Sequence, residues 1–173
     1  RKANNEDKCT GRFWEGRFKC QKLCDAAAVI TCSAYVDLNP VRAGVAKTPE
    51  HSDHTSIQDR IVQRTGKSPA VYKRWSKVPL LSIEAATDKA LSLDEYIKLV
   101  DETGRLIVHG KQSISAEFAP ILERLNINSV EWVNRTKNFR GSFRRIVGAE
   151  ELIMLAAKRA KKSWFHGLSA ARA

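Results

Sequence analysis

Cysteine is scarce in this 173-residue chain, and the four present, Cys9, Cys20, Cys24 and Cys32, all fall in its first fifth. A small secreted domain stapled by disulfides spreads its cysteines through the sequence, so free thiols in a reducing cytoplasm are expected. Nine glycines and five prolines exclude a collagen-like or linker protein. Long apolar runs are missing too. The longest uncharged apolar stretch, Ala26 to Ala34, is about half the ~18 residues that cross a bilayer, and no basic segment leads into a signal-type run. Neither a membrane partner nor an export signal is expected. Methionine occurs once, at Met154, and residue 1 is Arg, from which a missing upstream segment is expected.

What is present is a core-forming share of apolar residues, 43%, and an excess of cations, 30 Lys and Arg against 19 Asp and Glu. The excess is uneven. Residues 1–48 carry a net +4, residues 49–134 carry −1, and residues 135–173 carry +8. A concentrated positive end favours a polyanion by releasing its condensed counterions, which makes nucleic acid the leading partner. A merely solvated basic helix face is the plainer alternative.

Along the chain, Gly-Arg-Phe occurs at 11–13 and again at 16–18. The alternation of Arg12, Phe13 and Trp14, then Arg17, Phe18 and Lys19, suits two short strands bent at Gly16 or one bulged strand. Such a surface stacks bases on Trp14 while Arg12, Arg17 and Lys19 hold phosphates, or else its aromatics are core. From about Leu23 to Leu38 an Ala-rich helix is expected, ended by Asn39-Pro40, with Val29, Cys32 and Val36 as its buried stripe. Tyr35 and Asn39, four apart, fall on its flank. Arg42 and Gly44 read as a capping turn with a DNA-facing cation, Gly44 at positive φ.

The run Cys32-Ser33-Ala34-Tyr35-Val36-Asp37-Leu38-Asn39-Pro40-Val41-Arg42-Ala43-Gly44, with Phe13-Trp14-Glu15-Gly16-Arg17-Phe18-Lys19 before it, resembles the C-terminal half of the catalytic domain of single-tyrosine HUH transposases. The nearest branch includes the REP-associated tyrosine transposases of bacteria. Thr48-Pro49 and Ser52-Asp53-His54-Thr55-Ser56 continue the pattern, and the stretch from Ser92-Leu93-Asp94-Glu95-Tyr96 through Gly104-Arg105 to Trp164 resembles the C-terminal extension of a proteobacterial subset.

The resemblance implies that Tyr35 attacks a phosphodiester of single-stranded or hairpin DNA, leaving a 5′-phosphotyrosine and a free 3′-hydroxyl. One phosphate ester replaces another, so rejoining needs no ATP. It also implies that Asn39 lends an amide oxygen to Mg²⁺ or Mn²⁺, with DNA transposition in the bacterial cytoplasm, at the nucleoid, as the setting. Dimerisation is common in that superfamily. A phenol is a weak nucleophile at neutral pH and needs a cation to polarise the phosphate. The family's metal, however, is held mainly by a His-hydrophobic-His pair upstream of the tyrosine, and the histidines here are His51, His54, His109 and His166. One neutral amide oxygen offsets little of a divalent ion's dehydration. This chain alone is therefore expected to be inactive, as an N-terminally truncated transposase. A zinc site at Cys9, Cys20 and Cys24 is a weaker reading, since no Cys-x-x-Cys pair is present.

The expected architecture is α+β. Residues 1–57 form the back of a ferredoxin-like catalytic domain, a short β-hairpin plus the tyrosine helix; 58–90 connect; and 91–173 make a basic all-helical extension. Within that extension Ser92 to Glu95 is a capping box and Gly104 ends its helix. Further helices are expected at Ser115–Leu125, Ser129 to about Phe139, and Ala149–Lys162. The stretch from Phe118 to Phe139 fits a helix-turn-helix, with Arg135, Lys137, Arg140, Arg144 and Arg145 on phosphates or bases. That supports a second reading, a sequence-specific DNA-binding module without chemistry, which would bind duplex DNA unchanged after Tyr35→Phe. A purely structural protein would show negligible DNA affinity at physiological salt.

Overall fold

The computed structural model describes residues 2–6, 8–11, 19–67, 79–109 and 115–172. A short helix α1 (Lys2–Glu6) precedes strand β1 (Lys22–Leu23), helix α2 (Ala26–Asp37) and the one-turn α3 (Asn39–Arg42). After a 3-10 turn at Pro49–His51 come α4 (Ser56–Thr65), α5 (Ile83–Ala86) and the long α6 (Leu93–His109). A second 3-10 turn at Ala116–Phe118 leads into α7 (Ala119–Arg124) and α8 (Ser129–Ser142), followed by strand β2 (Ile146–Val147), α9 (Glu150–Arg159) and α10 (Leu168–Arg172). Helices dominate, and the described sheet is one parallel pair, Lys22 opposite Ile146 and Leu23 opposite Val147. Among the described residues no helix is long and apolar enough to cross a membrane.

Most of the anticipated hairpin, residues 12–18, lies outside the described residues. Where the chain becomes described, β1 pairs with a strand more than a hundred residues later, so the region 91–173 is not all-helical. Pairing also delays the tyrosine helix: Lys22 and Leu23 are extended, and α2 starts at Ala26 with Asp25 as its cap. The Asp25 carboxylate accepts the Ala28 N–H at 2.7 Å and, through its other oxygen, the Ala149 N–H at 2.7 Å. It thus closes one helix end and ties it to the turn before α9. A Cβ at Gly148 would stand 2.8 Å from Cys24 Cβ and 2.9 Å from Asp25 Oδ2, so this turn has no room for a side chain.

The buried face of α2 differs from the expected stripe. Ala28, Ile30, Thr31, Ala34 and Asp37 are buried, whereas Val36 is 55% exposed and Val29 and Cys32 are only half-buried. Apolar residues occur on every side of this helix, so periodicity carries little direction. The neighbour decides: α8 packs along α2, and the small Ala28 and Ala34 belong to the clusters that hold Phe139 and Trp132. As expected, α2 stops at Asp37 with Leu38 as its cap, just before Asn39-Pro40, but Pro40 opens a further helical turn. It occupies the first turn of α3, where its missing N–H has no partner to lose. Gly44, at φ +70°, closes that turn, its N–H donating to Val41 O at 3.1 Å.

The capping box is formed, with Ser92 N–H donating to Glu95 Oε2 at 2.9 Å and Glu95 N–H to Ser92 Oγ at 3.3 Å. Gly104 does not end the helix that follows; α6 continues to His109, and a Cβ at 104 would lie 3.1 Å from Leu38 Cδ2. The glycine admits the side chain that follows α2. One buried cluster joins Ile30, Leu38, Ile57, Tyr96, Leu99, Leu122 and Trp132, so residues before 57 and after 91 share a single core. Inside it, the Trp132 indole N–H donates to Thr103 Oγ1 at 2.8 Å, both side chains being fully buried. The stretch 58–90 also contributes: α4 is capped by Thr55 and buries Ile57 and Ile61, and it ends at Gly66 with φ +67°.

Candidate nucleic-acid interface

The early tyrosine lies on the half-buried flank of α2. Its ring stacks on Phe139 with centroids 5.3 Å apart and planes 27° from parallel, and the Arg42 guanidinium carbon sits 4.6 Å from its centroid. Arg42 is exposed, and α3 carries it back toward α2. A guanidinium against a π-face is attracted by the ring quadrupole and leaves N–H groups for an anion. Asn39 is exposed at the first position of α3.

Asp37, between these two residues, faces the opposite way. Its carboxylate accepts the Tyr96 hydroxyl at 2.6 Å, the Ser56 hydroxyl at 2.8 and 3.0 Å, and the Ile57 N–H at 3.1 Å. Burial pushes its pKa up, against the hydrogen bonds from Tyr96, Ser56 and Ile57 and the charge of Arg60. Tyr96 is held well above its ordinary value by burial and then by the Asp37 charge, so it stays a donor. Asp37 is thereby committed to the protein interior. Among the described residues no three His, Cys, Asp or Glu side chains gather as a metal site, and at the tyrosine Asn39 supplies one neutral oxygen. The described residues alone do not fit Mg²⁺ or Mn²⁺.

The cations divide into two groups. Arg12, Trp14 and Arg17 lie outside the described residues. Lys19, Arg140, Arg144 and Arg145 line one cleft of about 930 Å³, with Cys20, Gln21 and Phe143. Its two walls are joined by main chain: Lys22 N–H donates to Arg145 O at 2.8 Å, and the Gln21 side-chain amide donates to Phe143 O at 3.2 Å. Strand pairing therefore brings Lys19 to arginines some 120 positions later. Among the described residues no carboxylate forms an ion pair with any of these four cations. Unneutralised like charges around one opening repel each other and favour a polyanion.

Comparison with protein-family models, curated proteins and solved structures finds no match for this chain.

The helix-turn-helix segment is differently disposed. α7 and α8 are joined through Asn126, at φ +53°, and Asn128, whose side chain caps α8 by accepting the Glu131 N–H at 2.8 Å. A reading helix presents its first turns to base edges. Here Trp132 and Val133 are buried in the core, and Arg135 pairs with Glu131 and donates to Ala170 O at 2.9 Å. Arg135, expected on phosphates or bases, is instead a strut between α8 and the tail. Arg140, beyond a break in α8 at Asn138 (φ −114°, ψ 22°), reaches the cleft. Sequence reasoning named each cleft cation but missed Gln21 and Phe143, which carry no charge signal.

Proposed function

We propose that this chain acts on DNA as the tyrosine-bearing part of a single-tyrosine HUH-type transposase, its basic cleft holding the phosphates of the strand. The observation that carries the reading is the cleft itself. Four cations from both ends of the sequence share one opening, and among the described residues no carboxylate pairs with them. The Tyr35-to-Gly44 motif supplies the chemistry by resemblance, and the half-buried Tyr35 beside Arg42 supports it.

In that reaction the Tyr35 phenol gives up its proton as its oxygen bonds to phosphorus, the bond from phosphorus to the 3′-oxygen breaks, and the 3′-oxygen takes up one proton and leaves as a hydroxyl. Arg42 supplies positive charge beside the phenol and an N–H face for a phosphate oxygen. The ion that the resemblance implies would need ligands besides Asn39 that the described residues do not supply.

Anisotropy titration of a labelled single-stranded oligonucleotide, repeated across a salt series, tests the reading. Each cation withdrawn from the phosphates of a single strand reduces the slope of log K against log salt by about 0.7, so Arg144→Ala with Arg145→Ala should flatten it by ~1.4. Tyr35→Phe should leave binding intact. An unchanged slope in the double variant, or no binding by the unaltered chain, refutes the reading.

A further inference from the structure

The tail carries a second feature that the cleft does not explain. Trp164 is 61% exposed and follows directly on a basic run, Lys158, Arg159, Lys161 and Lys162, all exposed. The tail is not loose. α9 ends in a fixed turn in which Lys161 takes φ +52° and Lys162 N–H donates to Ala157 O at 2.9 Å. Three residues past the indole, Gly167 is buried at φ +114°, and a Cβ there would lie 2.8 Å from Phe143 Cδ1. Beyond it Ala170 packs on the cluster of Phe139 and Phe143, and its carbonyl receives Arg135.

Phe143 is also a wall of the basic cleft. The backbone at Gly167 therefore packs against a residue that lines the cleft, and three residues of chain reach at most about 11 Å. A large aromatic ring is thus held open to solvent on a docked segment, close to the cleft and with cations before it. Its surroundings combine the two parts of a single-strand platform, a π-face for a base and positive charge for the backbone.

We propose that Trp164 is a stacking anchor for an unpaired base of a single-stranded nucleic acid whose phosphates lie in the cleft of Lys19, Arg140, Arg144 and Arg145. The inference rests on that cleft being a nucleic-acid surface. It adds that the bound strand offers free bases, since a paired base hides both faces in its own stack.

The experiment compares the full chain with Trp164→Ala and Trp164→Phe. The probes are a labelled oligothymidylate of about twenty nucleotides, an abasic oligomer of equal length, and vesicles rich in phosphatidylserine. Loss of one stacked base should weaken oligothymidylate binding about five- to hundredfold in Trp164→Ala, and less in Trp164→Phe. Affinity for the abasic oligomer should stay the same. Equal weakening on both oligomers, or no weakening on either, overturns the stacking role while leaving the cleft intact. Loss confined to vesicle binding overturns it in favour of a membrane surface. An unaltered chain that binds neither oligomer removes the cleft reading and this inference with it.

Discussion

Replacing Tyr96 with Phe deletes one oxygen at the junction of three helices. That hydroxyl, fully buried, donates at 2.6 Å to Asp37, which closes α2 and also receives Ser56 and Ile57 at the start of α4. A hydrogen bond to a charged group contributes about 1.5–3 kcal/mol, so the variant should lose ~2 kcal/mol at neutral pH. For a chain of this length that corresponds to a fall in Tm of about 4–8 °C. The sign of the pH effect follows from Asp37, whose carboxyl is raised from its ordinary 3.8 by burial. Between 3.8 and that raised value the native state binds more protons than the unfolded chain. Asp37 therefore lowers stability as pH climbs through this window, and its penalty is complete above it. The Tyr96 hydroxyl favours the ionised form, so removing it raises Asp37 further and widens the window. The deficit of Tyr96→Phe should thus grow with pH. Urea unfolding at about pH 4 and about pH 8 reads it directly. A deficit below ~0.5 kcal/mol, or one equal at both pH values, would refute the reasoning.

Asp25→Ala strands the Ala28 and Ala149 N–H groups together and should cost about 2 kcal/mol by urea unfolding, toward the upper end for a helix cap. Gly104→Val forces a branched side chain toward Leu38, whose Cδ2 lies 3.1 Å from a Cβ at that position; a loss of about 1–3 kcal/mol is expected in the same assay. Trp132→Phe leaves the buried Thr103 hydroxyl without its indole donor and opens space in the main core, which should lower stability by ~2 kcal/mol.

What the sequence made legible was local. Ser92 and Glu95 cap each other across three residues, and Gly44 supplies a left-handed turn within one loop, so neither depends on anything distant. Gly104 read as a stop because its reason for being glycine, the Leu38 side chain, lies 66 positions away. The stripe on α2 failed for a similar cause: with apolar residues all round, only the approach of α8 selects Ala28 and Ala34 over Val36. α4 went unread although Thr55, Ile57, Ile61 and Gly66 spell cap, face and end, because its polar residues mask a single turn-to-turn apolar pair. The cleft cations were each nameable from charge and motif. That Lys19 faces Arg144 and Arg145 depends on a parallel strand pair two residues long, which no local pattern announces.

That strand pair has a consequence during synthesis. Lys22 leaves the ribosome about 124 residues before its partner Ile146. At about 5–20 residues per second, the emerging chain waits roughly 6–25 s before β1 can find β2. Throughout that interval one side of the basic opening does not yet exist, so its four cations cannot act together on any one ligand until the segment from Arg140 to Val147 has emerged and paired.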